Sequence, residues 1–400
     1  MSEPPQPPSE SASGPASSGA SGDGARGAGL ARADKLLRRL RRRDGGPVGG
    51  LVSGVYGLLV VGLWGVTWTG QDWSAPPGWF AALVTFLPYL YAGSLALGFF
   101  LWTLLPDRRL LPVAQVVLVG TAAWLWGPSW PARGDASSDA SVEVMAWNLR
   151  RLWGGPDDGG DALACAVRVL EEESPDVLAL TEVSEQDVRA LEAAAGLSCV
   201  HHTYRSDQGP KSGGLATCTR DGWTIEAGSG QRFVDDEDWF YVFSEVRRED
   251  QLFNVLAVHL TPYDYAAKRL RTGVQELAKG DPSTLADLER SSEQVVKGQS
   301  DQAAALLHRV RRLEHPTVVA GDFNSTRDAA LHTSLRKHLV DTFERGGFGF
   351  GGTIDVGGWL PLRIDYVYAS PRFEVTDARV VAAGCSDHRP VVSQLVLTTP

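Results

Sequence analysis

Residues 317–324 read TVVAGDFN, and further along residues 363–370 read RIDYVYAS. The first is a short run of β-branched and small apolar residues that ends on an acid, an aromatic ring and an amide. Such a run, bounded by turn-forming residues, predicts a buried strand. Polar groups at the mouth of a strand, here Asp322 and Asn324, are held by rigid backbone and can face a crevice at the sheet edge. In the second stretch a carboxylate, Asp365, lies inside a strand-like run between Ile364 and Tyr366. That position is partly buried, so the acid needs a partner.

The same arrangement recurs outward from these two stretches. Asn148 follows VEVMAW, Glu182 follows within DVLALTE, and His259 closes LFNVLAVH. Strands are predicted at 142–147, 177–181, 215–219, 240–247, 252–259, 317–321, 364–369 and 391–397, with helices at 161–173, 184–195, 264–278, 284–312 and 328–338. Many short strands with helices between them predict an α/β domain of two packed sheets flanked by helices, built on one core over residues 141–400.

One more pair completes the polar set: Asp387 and His388, adjacent in CSDHRP. Each residue alone has a bland reading. Asn148 can satisfy a turn, Glu182 can start the next helix, and Asp322 with Asn324 can form an Asx turn. Together the residue types match the needs of phosphate-ester cleavage, in which water loses a proton, the phosphoryl oxygens gain charge and a leaving oxygen must be neutralised. Glu182 and Asp387 supply carboxylates for Mg²⁺ or Mn²⁺, with Asn148 as a neutral oxygen ligand. Asn324 can donate to the phosphate. His388 can act as general base with its ring oriented by Asp365 or Asp322, and His259 can donate to the phosphate or leaving group.

Trp147-Asn148, the acid of LALTEV, His259-Leu260, GDFN, IDYVY and SDH, in that order over about 145–396, resemble the endonuclease/exonuclease/phosphatase (DNase I-like) superfamily. SGGLATCTR, 212–220, looks like that family's central glycine-containing strand. The resemblance implies a four-layer α/β sandwich of two mainly antiparallel sheets, with Glu182 as a metal ligand and His259 and His388 as a histidine pair. It also implies a membrane-anchored member of bacterial type. Two positions depart from the family pattern: Thr181 precedes Glu182 where glutamine is usual, and Thr353 is followed by Ile354 where tryptophan is common. Arg151, Tyr204, Arg205 and Lys211 are candidates for substrate contact, with surface solvation the favoured reading of each.

Ahead of this domain the composition changes. Residues 1–47 are rich in Ser, Gly, Pro and Ala and end in a basic run, Lys35 to Arg43, which predicts a disordered, juxtamembrane N-terminus. Within 48–130 lie three apolar stretches, 49–70, 79–105 and 110–130, each read as a membrane span, with Pro88 able to kink the second. The basic run and Arg108-Arg109 fall on one side by the positive-inside rule. The N-terminus is then cytoplasmic in a multi-pass protein of the cell membrane, and the domain after the polar linker 131–140 faces outward. Gly50 and Gly54 form a weak GxxxG match.

From Ser141 onward there are 27 Lys and Arg against 39 Asp and Glu, so the C-terminal domain carries −12 and the chain ahead of it +2 of the net charge of −10. An acidic domain disfavours polyanions, which ranks nucleic acid below a small phosphoester or lipid headgroup as substrate. The expected partners are such a phosphate ester and the membrane lipids around three helices. Competing readings are an outward-facing nuclease and a catalytically silent binding or scaffold protein on the same fold. The four cysteines, Cys165, Cys199, Cys218 and Cys385, lack zinc-site spacing; their even number outside the membrane permits disulfides, with Cys199 and Cys218 the nearest pair in sequence, and buried free thiols are the favoured state.

Overall fold

A computed structural model of the chain describes residues 47–104, 110–126, 141–152, 162–204, 213–233, 240–262 and 283–398. The N-terminal basic run, the linker 131–140, the helix expected at 264–278, and Arg205 and Lys211 lie outside the described residues, as does the side chain of Arg151. The chain forms two units, residues 1–58 with 96–115 and residues 59–95 with 116–400. In the first, the Gln115 amide donates to the Tyr56 hydroxyl at 2.8 Å, and a Cβ added at Gly50 or Gly54 would meet open space.

The apolar region folds as α1 (Pro47–Asp72), α2 (Gly78–Thr85), α3 (Leu87–Leu104) and α4 (Leu110–Trp126). The second expected span is therefore two helices, broken at Phe86. Pro88 explains the break: it lacks an N–H and crowds the preceding turn, but is accommodated in the first turn of a new helix. By length and composition, Gly49–Asp72 and Leu87–Leu104 suffice to cross a membrane, whereas the apolar part of α4, Leu111–Trp126, is shorter. The last residues of the third expected span, 127–130, lie outside the described residues.

The second unit also contains the α/β domain. Its strands are β1 (Ser141–Asn148), β2 (Val177–Val183), β3 (Ser198–Thr203), β4 (Gly214–Thr219), β5 (Thr224–Arg232), β6 (Phe240–Arg248), β7 (Gln251–His259), β8 (Thr317–Asp322), β9 (Val340–Asp341), β10 (Ile354–Val356), β11 (Leu360–Leu362), β12 (Asp365–Ala369), β13 (Phe373–Val380) and β14 (Val391–Leu397). Between them lie α5 (Ala162–Glu173), α6 (Glu185–Ala195), α7 (Ser283–Val310), α8 (Ala330–Arg336) and α9 (Thr342–Gly346). One six-stranded sheet runs β13-β14-β1-β2-β4-β3 and the other β5-β6-β7-β8-β12-β9, while β10 and β11 form a separate hairpin. Each large sheet contains one parallel pair, β1 with β2 and β7 with β8. Its other pairings are antiparallel.

Three apolar clusters show four layers. Val144, Val177, Val255, Val318 and Leu395 fill the space between the sheets. Met145, Trp147 and Leu180 face outward under Val169 and Leu170 of α5 and Leu191 of α6. On the far side, Leu256, Val319 and Tyr368 pack under Leu306 of α7 and Leu335 of α8. Alternate residues of β1 serve two cores, because side chains alternate across a strand. Each large apolar side chain so buried contributes roughly 1.5–3 kcal/mol.

The cysteines overturn the free-thiol expectation. Cys165 of α5 is bonded to Cys385, and Cys199 of β3 to Cys218 of β4. The second bond joins residues directly opposite in the antiparallel register, and the first spans 220 residues of chain. Sequence separation marked Cys199 and Cys218 only as the nearest pair and gave no access to Cys165–Cys385.

Candidate active site

The site lies where the ends of β1, β2, β7 and β8 meet the start of β12. Asp322 is central. In register it stands beside His259 on the parallel β7 and beside Asp365 on the antiparallel β12. This close approach depends on Gly321, whose φ is +140° and where a Cβ would lie 2.0 Å from the Val258 carbonyl oxygen. Across the sheets, the Asn148 amide nitrogen donates to Glu182 Oε1 and to Asp322 Oδ2, both at 3.0 Å.

Glu182 owes its direction to an irregularity in β2. The pairing with β4 shifts register between Thr181 and Val183, and Glu182 between them has φ +52°. A left-handed conformation in a non-glycine residue costs on the order of 1–3 kcal/mol and recurs at functional sites. Asn324 also has positive φ, +48°. It is held by Asp322 Oδ1, which accepts the Asn324 N–H at 2.7 Å, so the expected Asx turn and the catalytic reading use the same residues. The Asn324 side-chain amide donates to the Leu260 carbonyl at 3.0 Å.

Both histidines are buried and oriented. His388 Nδ1 lies 2.8 Å from Asp365 Oδ2 and 4.0 Å from Asp322 Oδ2, so Asp365 is the acid that sets its ring. The His388 segment is fixed by the Ser386 hydroxyl, which donates to the Asn148 carbonyl at 2.8 Å, and by the Trp147 indole N–H donating to the His388 carbonyl. His259 Nδ1 pairs with the Tyr204 hydroxyl, while Nε2 lies 3.9 Å from Glu182 and 3.7 Å from Asp322.

The charges are coupled. Burial raises Asp322, and the adjacent Asp365 raises it further, to about 8, against the pull of His388, Asn148 and the Asn324 amide. Burial works to lower His388, but Asp365, with Asp322 and Asp387, outweighs it and lifts the imidazole to about 10. The ring is then a cation at neutral pH and acts as a base only after losing that proton. For Glu182, burial opposes the charge, yet His259 and the Asn148 hydrogen bond hold the carboxyl below its ordinary range. Burial, with Glu182 and Asp322, pushes the Tyr204 phenol well above its ordinary value. Tyr204 therefore keeps its proton beside His259 Nδ1, and His259 Nε2 faces the acids.

Six of the eight expected residues converge: Asn148, Glu182, His259, Asp322, Asp365 and His388. Asn324 joins through its backbone. Asp387 stands apart, paired with Arg150 at 2.9 Å and half-exposed. Asn148 presents nitrogen to the acids, and its oxygen accepts the Arg150 N–H at 3.0 Å. Service as an oxygen ligand would require the amide to turn over.

A divalent cation fits this donor set. Glu182, His259 and Asp322 form one group, and Asp322, Asp365 and His388 another, each with ligand atoms within 4.8 Å of one another. Among the described residues, Asp365 Oδ1 is buried without a hydrogen-bond partner. Several acids around one point leave negative charge for a cation to neutralise.

Sequence reasoning missed several supports. Tyr204 is half-buried against Phe240 and His259, not surface-solvated. Gln299 of α7 donates to the carbonyls of Thr261 and Asn324 at 2.8 and 3.0 Å, tying the ends of β7 and β8 together. Thr353 Oγ1 accepts the N–H groups of Ile364 and Asp365 at 3.1 and 3.2 Å. The departure at Ile354 is accommodated by a β-bridge to His388. At the other departure, Thr181 Oγ1 is buried with no partner among the described residues. No local pattern marks Tyr204 or Gln299, because their partners come from distant elements.

With this geometry established, the chain belongs to the endonuclease/exonuclease/phosphatase family, whose model matches residues 145–388. It therefore has the fold of a family of phosphoesterases. No curated protein matched. Among solved structures, an endonuclease/exonuclease/phosphatase family protein from Bacteroides thetaiotaomicron is 18% identical over 65% of this chain and 98% of its own, with a TM-score of 0.49. A mannosyl-6-phosphatase from the same species is 18% identical over 64% of this chain and 100% of its own, with a TM-score of 0.48. The protein named endonuclease/exonuclease/phosphatase from Bacteroides vulgatus is 14% identical over 64% and 99%, with a TM-score of 0.49.

Proposed function

We propose that this protein is a divalent-metal-dependent hydrolase of phosphate esters, a phosphodiesterase or phosphatase, anchored in the cell membrane with its catalytic domain outside the cytoplasm. The observation that carries the chemistry is Asp322, in contact range of an amide, two imidazoles and a second buried carboxylate drawn from both sheets.

Glu182, Asp322 and Asp365 would hold Mg²⁺ or Mn²⁺, with Asn148 joining if its amide turns. When bound, the cation would withdraw charge from the phosphoryl oxygens and make water easier to deprotonate. The protein's own groups divide the remaining work. His259 Nε2–H donates to a phosphoryl or leaving oxygen. The Asp365-held His388 imidazolium donates likewise, and after losing its proton serves as base. Asn324, one of whose amide hydrogens is engaged by Leu260, offers the other to the phosphate.

The anchor reading is supported by two apolar helices of spanning length and by the charge asymmetry around them, and the outward placement takes the shorter α4 as a third crossing. Two disulfides, Cys165–Cys385 and Cys199–Cys218, suit an oxidising compartment. The acidic domain favours a lipid headgroup or small phosphoester over nucleic acid.

The test is turnover by the full chain on nucleic acids, phospholipids and sugar and inositol phosphates, with Mg²⁺, Mn²⁺ or EDTA. EDTA should abolish activity and either metal restore it. His388→Ala and Asp322→Ala should each reduce turnover by about a thousandfold or more while leaving the melting temperature nearly unchanged. Activity that persists in EDTA, or in either variant, rejects the corresponding role.

A further inference from the structure

From Ser141 onward, the large apolar side chains exposed among the described residues are Phe348 at 74%, Phe350 at 58%, Val356 at 41% and Trp359 at 77%. All fall in one stretch, GGFGFGGTIDVGGWLPL, 346–362, which contains the β10–β11 hairpin. Elsewhere in the domain the described residues keep their large apolar groups covered. Soluble domains seldom concentrate exposed apolar groups this way without a partner. The single charge in the stretch, Asp355, is neutralised by Arg389.

The stretch adjoins the apolar helices within the second unit. The Tyr89 hydroxyl of α3 donates to the Pro361 carbonyl, and the Trp126 indole at the end of α4 donates to Asp328 at 3.2 Å. A shared groove is lined by Pro88, Tyr89 and Trp126 from the helices and by Gly349, Phe350 and Pro361 from the stretch. Phe350 therefore lies beside the helix ends where a spanning segment leaves hydrocarbon, and Phe348 and Trp359 are exposed on the same stretch. Trp and Phe favour that interfacial layer.

We infer that residues 346–362 are a bilayer-docking surface, with Phe348, Phe350 and Trp359 seated in the interfacial layer of the membrane that the N-terminal helices cross. This rests on the anchor reading. The docked hairpin reaches the active site directly: Thr353 Oγ1 holds the Asp365 backbone, and Ile354 bridges to His388. The lipid-facing rings and the Asp365–His388 pair are thus joined by one short run of chain.

The test uses the full chain reconstituted in phosphatidylcholine–phosphatidylglycerol vesicles. All four cysteines are in disulfides, so a cysteine introduced by Phe350→Cys or Trp359→Cys can be labelled selectively with an environment-sensitive fluorophore. Arg189→Cys, on exposed α6, is the reference. Nitroxide lipids labelled near the headgroup should quench the probes at 350 and 359 several-fold more than the probe at 189, with blue-shifted emission. Carbonate extraction, run in parallel, reports whether the chain is integral. Equal quenching at all three positions in an integral chain overturns the docking surface and leaves the anchor standing. A blue shift without lipid quenching, growing with protein density, assigns the patch to a second copy and also overturns it. Release of the chain by carbonate rejects the anchor, and the docking inference with it.

Discussion

Asp322 shows how much rests on a single buried acid. It caps the GDFN turn through Oδ1 and binds Asn148 through Oδ2, while standing between His259 and His388. Its type and its place at a strand end were legible in TVVAGDFN. The identity of the acid that orients His388 was not, because Asp322 and Asp365 are neighbours in register and only distances of 4.0 against 2.8 Å separate them. Tyr204 was misread as solvated for a related reason: a tyrosine after a short polar strand carries no local mark of burial. Its hydroxyl orients the His259 ring, so Tyr204→Phe should lower turnover roughly ten- to hundredfold, the range found when a group orienting a functional histidine is removed. Steady-state kinetics should show the loss mainly in kcat. An unchanged kcat would remove Tyr204 from the positioning set.

At the scale of elements, helices and central strands followed the apolar periodicity, whereas β3, β5 and β13 escaped it. SCVHHT and TIEAGSGQR carry histidines, glycines and exposed polar residues, and each lies at the edge of its sheet, where one flank has no strand neighbour. The β2 irregularity that aims Glu182 was equally invisible, since it depends on the register of β4. The junction of β8, α8 and β12 carries a pH prediction. His332 of α8 is buried, its Nδ1 accepting from the Tyr368 hydroxyl at 2.8 Å and its Nε2 donating to the Ser325 carbonyl at 3.1 Å. Burial, with Arg336 nearby, lowers its pKa well below the usual value. The unfolded imidazole takes up a proton near pH 6.5, before the folded one does, so the contribution is full above that pH and declines below it. The slope is about 1.4 kcal/mol per pH unit until the folded pKa is reached. Melting of the full chain in detergent between pH 7.5 and 5 should show this decline, and His332→Gln should flatten it; equal slopes would place the acid sensitivity elsewhere.

For the whole molecule, two sheets facing each other bring Asn148, Glu182 and the His388 segment before β14 from one side to His259, Asp322 and Asp365 from the other. The long Cys165–Cys385 bond ties the first helix of the domain to the segment just before His388. Closing a loop of this length restricts the unfolded chain strongly, about 5.4 kcal/mol in the chain-entropy picture. If the molecule sits across the membrane as proposed, a reporter fused after Ala140 should signal outside the cytoplasm, and one fused after Arg109 should signal inside. An inside signal after Ala140 would reverse the orientation.

The sequence by itself determined the class of fold, the family and nearly every polar residue of the site, because apolar periodicity and strand-end placement are local properties of the chain. Only the tertiary structure decided which acid holds which histidine, that Asp387 turns to Arg150, that the cysteines pair, and that the stretch carrying three exposed rings adjoins the apolar helices. Those outcomes depend on distances between residues remote in sequence, and packing of the two sheets and their helices sets such distances.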